Sequence, residues 1–100
     1  MGKQWWSSWV LAVTPYGVLL RLLIDGRISG EEFEVVFLPL YKKDSTQWSP
    51  EIFDVLDGLF ADVDDFCSDP DLLIKVGGID ELELRRRATL AFERLSALAG

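Results

Sequence analysis

Between Pro50 and Cys67 the chain carries Asp54, Asp57, Asp62, Asp64 and Asp65 without one basic residue, and Asp69 and Asp71 follow closely. Carboxylates gathered this way can hold a cation, move protons, or meet a positively charged surface. The spacing argues against the first use. An EF-hand calcium loop needs oxygen donors at its first, third and fifth positions, glycine at the sixth and glutamate at the twelfth. Counted from Asp62, the fifth position is Phe66 and the sixth is Cys67. Proton transfer is disfavoured too, because carboxylates on a convex, exposed face have no pocket in which to meet a substrate. The chain contains no histidine, the commonest acid–base group and transition-metal ligand. A zinc site, a cofactor and an enzymatic activity are therefore not expected, and the third use remains.

Winding Pro50 to Cys67 as a helix at about 100° per residue separates two arcs. Ile52, Phe53, Val55, Leu56, Leu59, Phe60, Val63, Phe66 and Cys67 take one arc, which is expected to face the core, and the five aspartates take the other. Like charges three or four residues apart, such as Asp54 and Asp57, weaken a helix by a few tenths of a kcal/mol. Aspartate is also a poorer helix former than glutamate, so a merely solvated face is more naturally built from glutamate alternating with lysine. The pattern points to an acidic binding face; a solubility face is the alternative.

Composition gives the same sign. Seventeen acidic against ten basic residues leave a formal charge of −7, which repels phosphate backbones and anionic lipid and attracts basic proteins. Direct nucleic-acid binding is not expected. The one basic run, Arg85-Arg86-Arg87, has Glu83 four residues before Arg87, a spacing that suits an ion-paired helix face. Cys67, the single cysteine, can form no internal disulfide and falls on the apolar arc; it is expected in the core of a protein kept in a reducing, cytoplasmic compartment. The most apolar stretch, Trp5 to Ile24, is interrupted by Pro15, Gly17 and Arg21, which disfavours a membrane span.

The elements that position these residues follow from punctuation and period. Thr14-Pro15 opens a helix that runs to Ile24 before the Asp25-Gly26 stop. Ser29 and Glu32 form a capping box for a second helix, with Phe33, Val36, Phe37, Leu40 and Tyr41 on one stripe and Pro39 expected to kink it. Ser49-Pro50-Glu51 starts the acidic helix, which is expected to reach Phe66 or Cys67 before Ser68-Asp69-Pro70 stops it. Residues 71–79 read as a loop with at most one helical turn. Asp80 and Glu83 cap a last helix with Leu84, Ala88, Ala91, Phe92, Leu95 and Leu98 as its stripe. The class is all-α: an antiparallel four-helix bundle, since short connections force neighbours to alternate in direction, with room for an additional short N-terminal helical segment. Phe33, Phe37, Leu56, Phe60, Val63, Phe92 and Leu95 are expected to share the core. Residues 1–13 form an aromatic-rich N-terminal extension bearing Trp5, Trp6 and Trp9, and residues 14–100 a single helical domain.

Two stretches together resemble the colicin D-type immunity proteins of the bacterial self-protective colicin-like immunity family. The first runs Leu23-Ile24-Asp25-Gly26-Arg27-Ile28-Ser29-Gly30-Glu31-Glu32-Phe33-Glu34 and continues at Phe37-Leu38-Pro39-Leu40-Tyr41-Lys42-Lys43-Asp44. The second spans Phe53 to Cys67, with Asp69-Pro70 and then Ile79-Asp80-Glu81. The order and spacing of the pieces carry the resemblance, which covers Val18 to Leu95; the aromatic start lies outside it. It implies an antiparallel four-helix protein that binds the C-terminal ribonuclease domain of a toxin that cuts transfer RNA, and plugs the toxin's basic active-site cleft. Its carboxylates would then take the place of RNA phosphates. Carried over to matching positions, the implied partner-binding residues are Asp57, Asp62, Asp64, Asp65, Asp69 and Asp71. The chain is expected to act as a monomer or weak homodimer. The competing reading is an acidic helical adaptor or structural dimerisation protein, joined through the three tryptophans, with no toxin partner.

Overall fold

The computed structural model describes residues 15–99, and Thr14, the aromatic-rich start and its tryptophans lie outside them. Helices α1 (Pro15–Ile24), α2 (Gly30–Lys43), α3 (Pro50–Asp65), α4 (Pro70–Val76) and α5 (Glu81–Ala99) follow in order. Among the described residues there is no strand, only an isolated bridge between Phe66 and Ile79.

The starts form as their sequences dictate. Glu32 N–H donates to Ser29 Oγ at 3.1 Å while Ser29 N–H donates to Glu32 Oε1 at 2.8 Å, which completes the capping box of α2. Ser49 caps α3 ahead of Pro50, and Asp80 Oδ1 accepts from Glu83 N–H at 2.8 Å in the first turn of α5. Gly26 ends α1 with φ of 76°, a left-handed turn that favours glycine. Pro39 does not end α2, which runs on to Lys43.

Helix α5 packs against α1 and α3, and α2 bridges α1 and α3 while touching α5. The core is assembled from all four: Leu20 and Leu23 of α1, Phe33 and Phe37 of α2, Leu56, Leu59 and Val63 of α3, and Leu84, Ala88 and Leu95 of α5. A line of aromatic rings runs along the α2 side of this core. Phe33 stacks on Phe37 at 5.4 Å, Phe37 on Tyr41 at 5.8 Å, and Tyr41 meets Phe60 at 5.3 Å.

Several expectations need correction. Residues 71–79 are not simply a loop: Asp69 accepts from the N–H groups of Asp71 and Leu72, Pro70 takes the first helical position and Gly77 closes the last turn, so α4 forms. The acidic helix stops at Asp65, earlier than expected, because Phe66 turns into extended backbone and bridges Ile79. Phe53 belongs to the apolar arc by angle but is 48 % exposed. It sits at the arc's edge, lining an open recess with Tyr41, Trp48 and Phe60. Phe60 and Phe92 pack against the core half-buried instead of lying within it, and Cys67 is half-buried as well. Among the described residues, no helix is long and apolar enough to cross a membrane.

Candidate partner interface

Helix α3 distributes its aspartates over three directions. Asp57 and Asp64, seven residues and nearly two turns apart, face α2: Tyr41 O–H donates to Asp57 Oδ1 at 3.3 Å, and the Asp64 charge is felt by Glu34. Asp54 and Asp65, about three turns apart, are exposed. Asp62 turns toward α5, where it meets Arg87 Nη1 at 2.7 Å with side chains only 25 % and 34 % exposed. The six carboxylates named from the sequence therefore do not form one cluster. Among the described residues no cation pairs with Asp57, Asp64, Asp65, Asp69 or Asp71, whereas Asp62 is neutralised by its own chain. Asp69 has a local task already, as the cap of α4.

Sequence reasoning missed two carboxylates that extend the acidic surface across to α2. Burial raises the pKa of Glu34 above the ordinary range, and the neighbouring charges of Glu31 and Asp64 raise it further. The signal was available, since Glu31 and Glu34 are three apart on one helix face. Neutralising Glu34 should therefore stabilise the fold. Its ionised form is penalised in the folded chain, so the penalty is complete above the folded pKa and absent below the unfolded one. Glu34→Gln is expected to raise the melting temperature near about pH 7 and to give no gain near about pH 3, where glutamate is protonated in either state. Thermal unfolding at the two pH values measures this, and a lower melting temperature near neutrality would contradict it.

The arginine run is ion-paired, as its spacing predicts, and it also joins helices. Glu83 takes Arg86 at 2.5 Å and Arg87 at 2.8 Å, and these two hold its pKa down to about 2. Arg85 Nε donates to the Leu23 carbonyl at 2.9 Å and Nη2 to Glu81 at 3.1 Å. Glu81 in turn accepts the Gly30 N–H at 2.6 Å, and that contact, ahead of Arg85, lowers its pKa. The end of α1, the start of α2 and the start of α5 are thereby tied together. A Cβ on Gly30 would lie 2.6 Å from the Phe66 ring, so glycine is needed for this approach.

Across the same order of elements, the family model of bacterial self-protective colicin-like immunity matches residues 11–95. The chain belongs to that family. Searches of curated proteins and of solved structures returned no significant match. Membership makes this an immunity-family protein, a class whose role is to bind a cognate toxin. In this immunity-family chain Asp57, Asp64, Asp65 and Asp71 are exposed and pair with no cation among the described residues, and the same holds for Asp54 near the start of α3. Its described residues gather no group of three or more Asp, Glu, Cys or His side chains fit to hold a metal ion.

Proposed function

We propose that this immunity protein is of the colicin D type and protects by occupying the basic active-site cleft of a transfer-RNA-cleaving ribonuclease toxin, with its carboxylates standing where RNA phosphates would lie. In this reading α1, α2, α3 and α5 run antiparallel, as the short links from α1 to α2 and from α2 to α3 favour, and the chain acts in the cytoplasm of the producing cell without catalysing a reaction. The observation that carries it is the acidic face itself, where exposed aspartates without cation partners continue from α3 onto Glu31 and Glu34. A surface that only needed solubility would intersperse both signs. Helix α3 instead ends on Asp64 and Asp65 with no basic residue in its last turn, where the helix dipole disfavours negative charge by about 0.3–1 kcal/mol each. A ribonuclease must present Lys and Arg to the phosphates it grips, so the same surface accepts a matching array of carboxylates.

The test uses the ribonuclease domain of the cognate toxin, which this reading requires to be encoded beside the immunity gene. Transfer-RNA cleavage is measured against increasing immunity protein, with substrate and salt varied. Stoichiometric inhibition that substrate RNA competes away, and that weakens between about 50 and about 200 mM salt, is the expected result. Inhibition indifferent to RNA concentration would place the contact away from the cleft and overturn the phosphate-mimic reading.

A further inference from the structure

Helix α4 has no fully buried side chain and, among the described residues, packs against none of the other helices. Seven residues are too few to stay helical on propensity alone, and α4 is held by its ends. Asp69 caps it, Gly77, at φ of 71°, returns its N–H to the Leu73 carbonyl at 2.9 Å, and the flanking chain is pinned where Cys67 N–H meets the Ile79 carbonyl and Ile79 N–H the Asp65 carbonyl, each at 3.0 Å. Gly78 passes so close to that Asp65 carbonyl that a Cβ there would overlap it. A fixed shape is thus imposed on a segment that adds little to the core.

The fixed segment displays apolar side chains. Leu72 and Val76, four residues apart and so on one ridge, are 48 % and 63 % exposed, and Ile74 on the opposite flank is 83 % exposed. Single exposed apolar residues are ordinary, whereas several on one short unpartnered element mark a contact surface. Around them residues 64–80 carry five aspartates (64, 65, 69, 71 and 80) against one cation, Lys75.

We propose that α4 is the apolar anchor of the toxin contact: the Leu72–Val76 ridge enters an apolar recess in the toxin's ribonuclease domain, bordered by the cations that the surrounding aspartates meet. This rests on the proposed function and adds to it a site that charge alone does not specify. Charge selects the occupant. A second copy of this chain would bring the same aspartates against one another, and an anionic membrane would repel them, while a basic domain satisfies ridge and rim together. Apolar centre and charged rim is the usual division of labour in a specific interface.

The experiment titrates the toxin's ribonuclease domain with wild-type protein, with Leu72→Ser/Val76→Ser and with Asp64→Asn/Asp65→Asn, at about 50 and about 200 mM salt. The serine variant is expected to bind about 100-fold more weakly with an unchanged salt dependence, the asparagine variant more weakly with a flattened one. In parallel, amide exchange at Leu73 to Val76 of the wild-type protein is followed with and without toxin, a readout independent of any folding defect; strong slowing on binding is expected. Serine-variant affinity within about threefold of wild type, or unchanged exchange in the complex, overturns the anchor and leaves the charge-based reading standing. Absence of wild-type binding overturns both.

Discussion

Replacing Asp44 by Ala is expected to lower the unfolding free energy by about 2–3 kcal/mol, a fall of about 10–20 °C in melting temperature for a domain of this size. Asp44 lies in the connection between α2 and α3 and accepts three hydrogen bonds: from Tyr16 O–H at 2.6 Å, Trp48 Nε1–H at 3.0 Å and Thr46 N–H at 2.8 Å. Tyr16 is buried at the start of α1, edge-on to Phe37, Tyr41 and Trp48. Alanine would leave its hydroxyl without an acceptor in an apolar setting, and such an orphan costs more than the bond gained. The Tyr16 hydrogen bond, then those of Trp48 and Thr46, hold the Asp44 pKa well below the usual carboxylate range, while burial and then Asp44 push Tyr16 up. Because the folded pKa of Asp44 is depressed, its contribution is complete above the unfolded value and is lost as pH falls through the folded one. The gap between wild type and Asp44→Ala should therefore narrow on acidification. A chemical denaturation series at several pH values measures it; a gap independent of pH would show that folding leaves the Asp44 pKa unshifted, and one that widens on acidification that Asp44 is held as a neutral acid.

The second large effect separates Asp62 from Asp64 and Asp65, its close neighbours in sequence. Asp64→Asn with Asp65→Asn is expected to stabilise the isolated protein by about 1 kcal/mol, because both charges sit against the negative end of the α3 dipole. It should weaken toxin binding by about 2–5 kcal/mol for each carboxylate that is desolvated against a cation. Asp62→Asn should do the reverse. It breaks the partly buried pair with Arg87, which keeps Glu83 as partner, so stability falls by about 1 kcal/mol while affinity changes little. Denaturant unfolding and calorimetric titration on the same preparations resolve the two signs. Lost affinity in Asp62→Asn equal to that of the double variant would mean that Arg87 releases Asp62 to the toxin.

The helix starts were legible because their signals are local: Ser29 with Glu32, Ser49 with Pro50 and Asp80 with Glu83 each act within one turn. The buried stripes of Phe33, Phe37, Leu56, Val63 and Leu95 were equally legible from period alone. What escaped depended on chain distant in sequence. Phe53 has the right angle for the core, yet it lines an open recess with Tyr41, Trp48 and Phe60 and stays half in water. Asp62 looked free because α3 offers it no cation, and its partner comes from 25 residues away on α5. Asp44 showed only its short-range part in the sequence, an aspartate two residues before the N–H it caps; Tyr16, 28 residues earlier, could not be paired with it from spacing. Helix α4 was hidden by its length, since seven residues give too little periodicity to tell a helix from a loop.

Because α4 is clamped by Asp69, Gly77, Gly78 and the backbone bonds of Ile79 to Cys67 and Asp65, and not by the side chains it displays, its letters and its shape are governed separately. Exchanging Leu72, Ile74 or Val76 for other helix-compatible residues leaves Leu20, Phe33, Leu59 and Leu84 packed as before, and surface changes of that kind typically move stability by no more than about 0.5 kcal/mol. Descendants of this sequence can therefore rewrite the knob without unfolding the handle. Their drift would be visible as rapid change at Leu72, Ile74 and Val76 beside stasis at Gly77, Gly78 and Ile79, the pattern expected of a lineage that must keep its scaffold while following an opponent that changes.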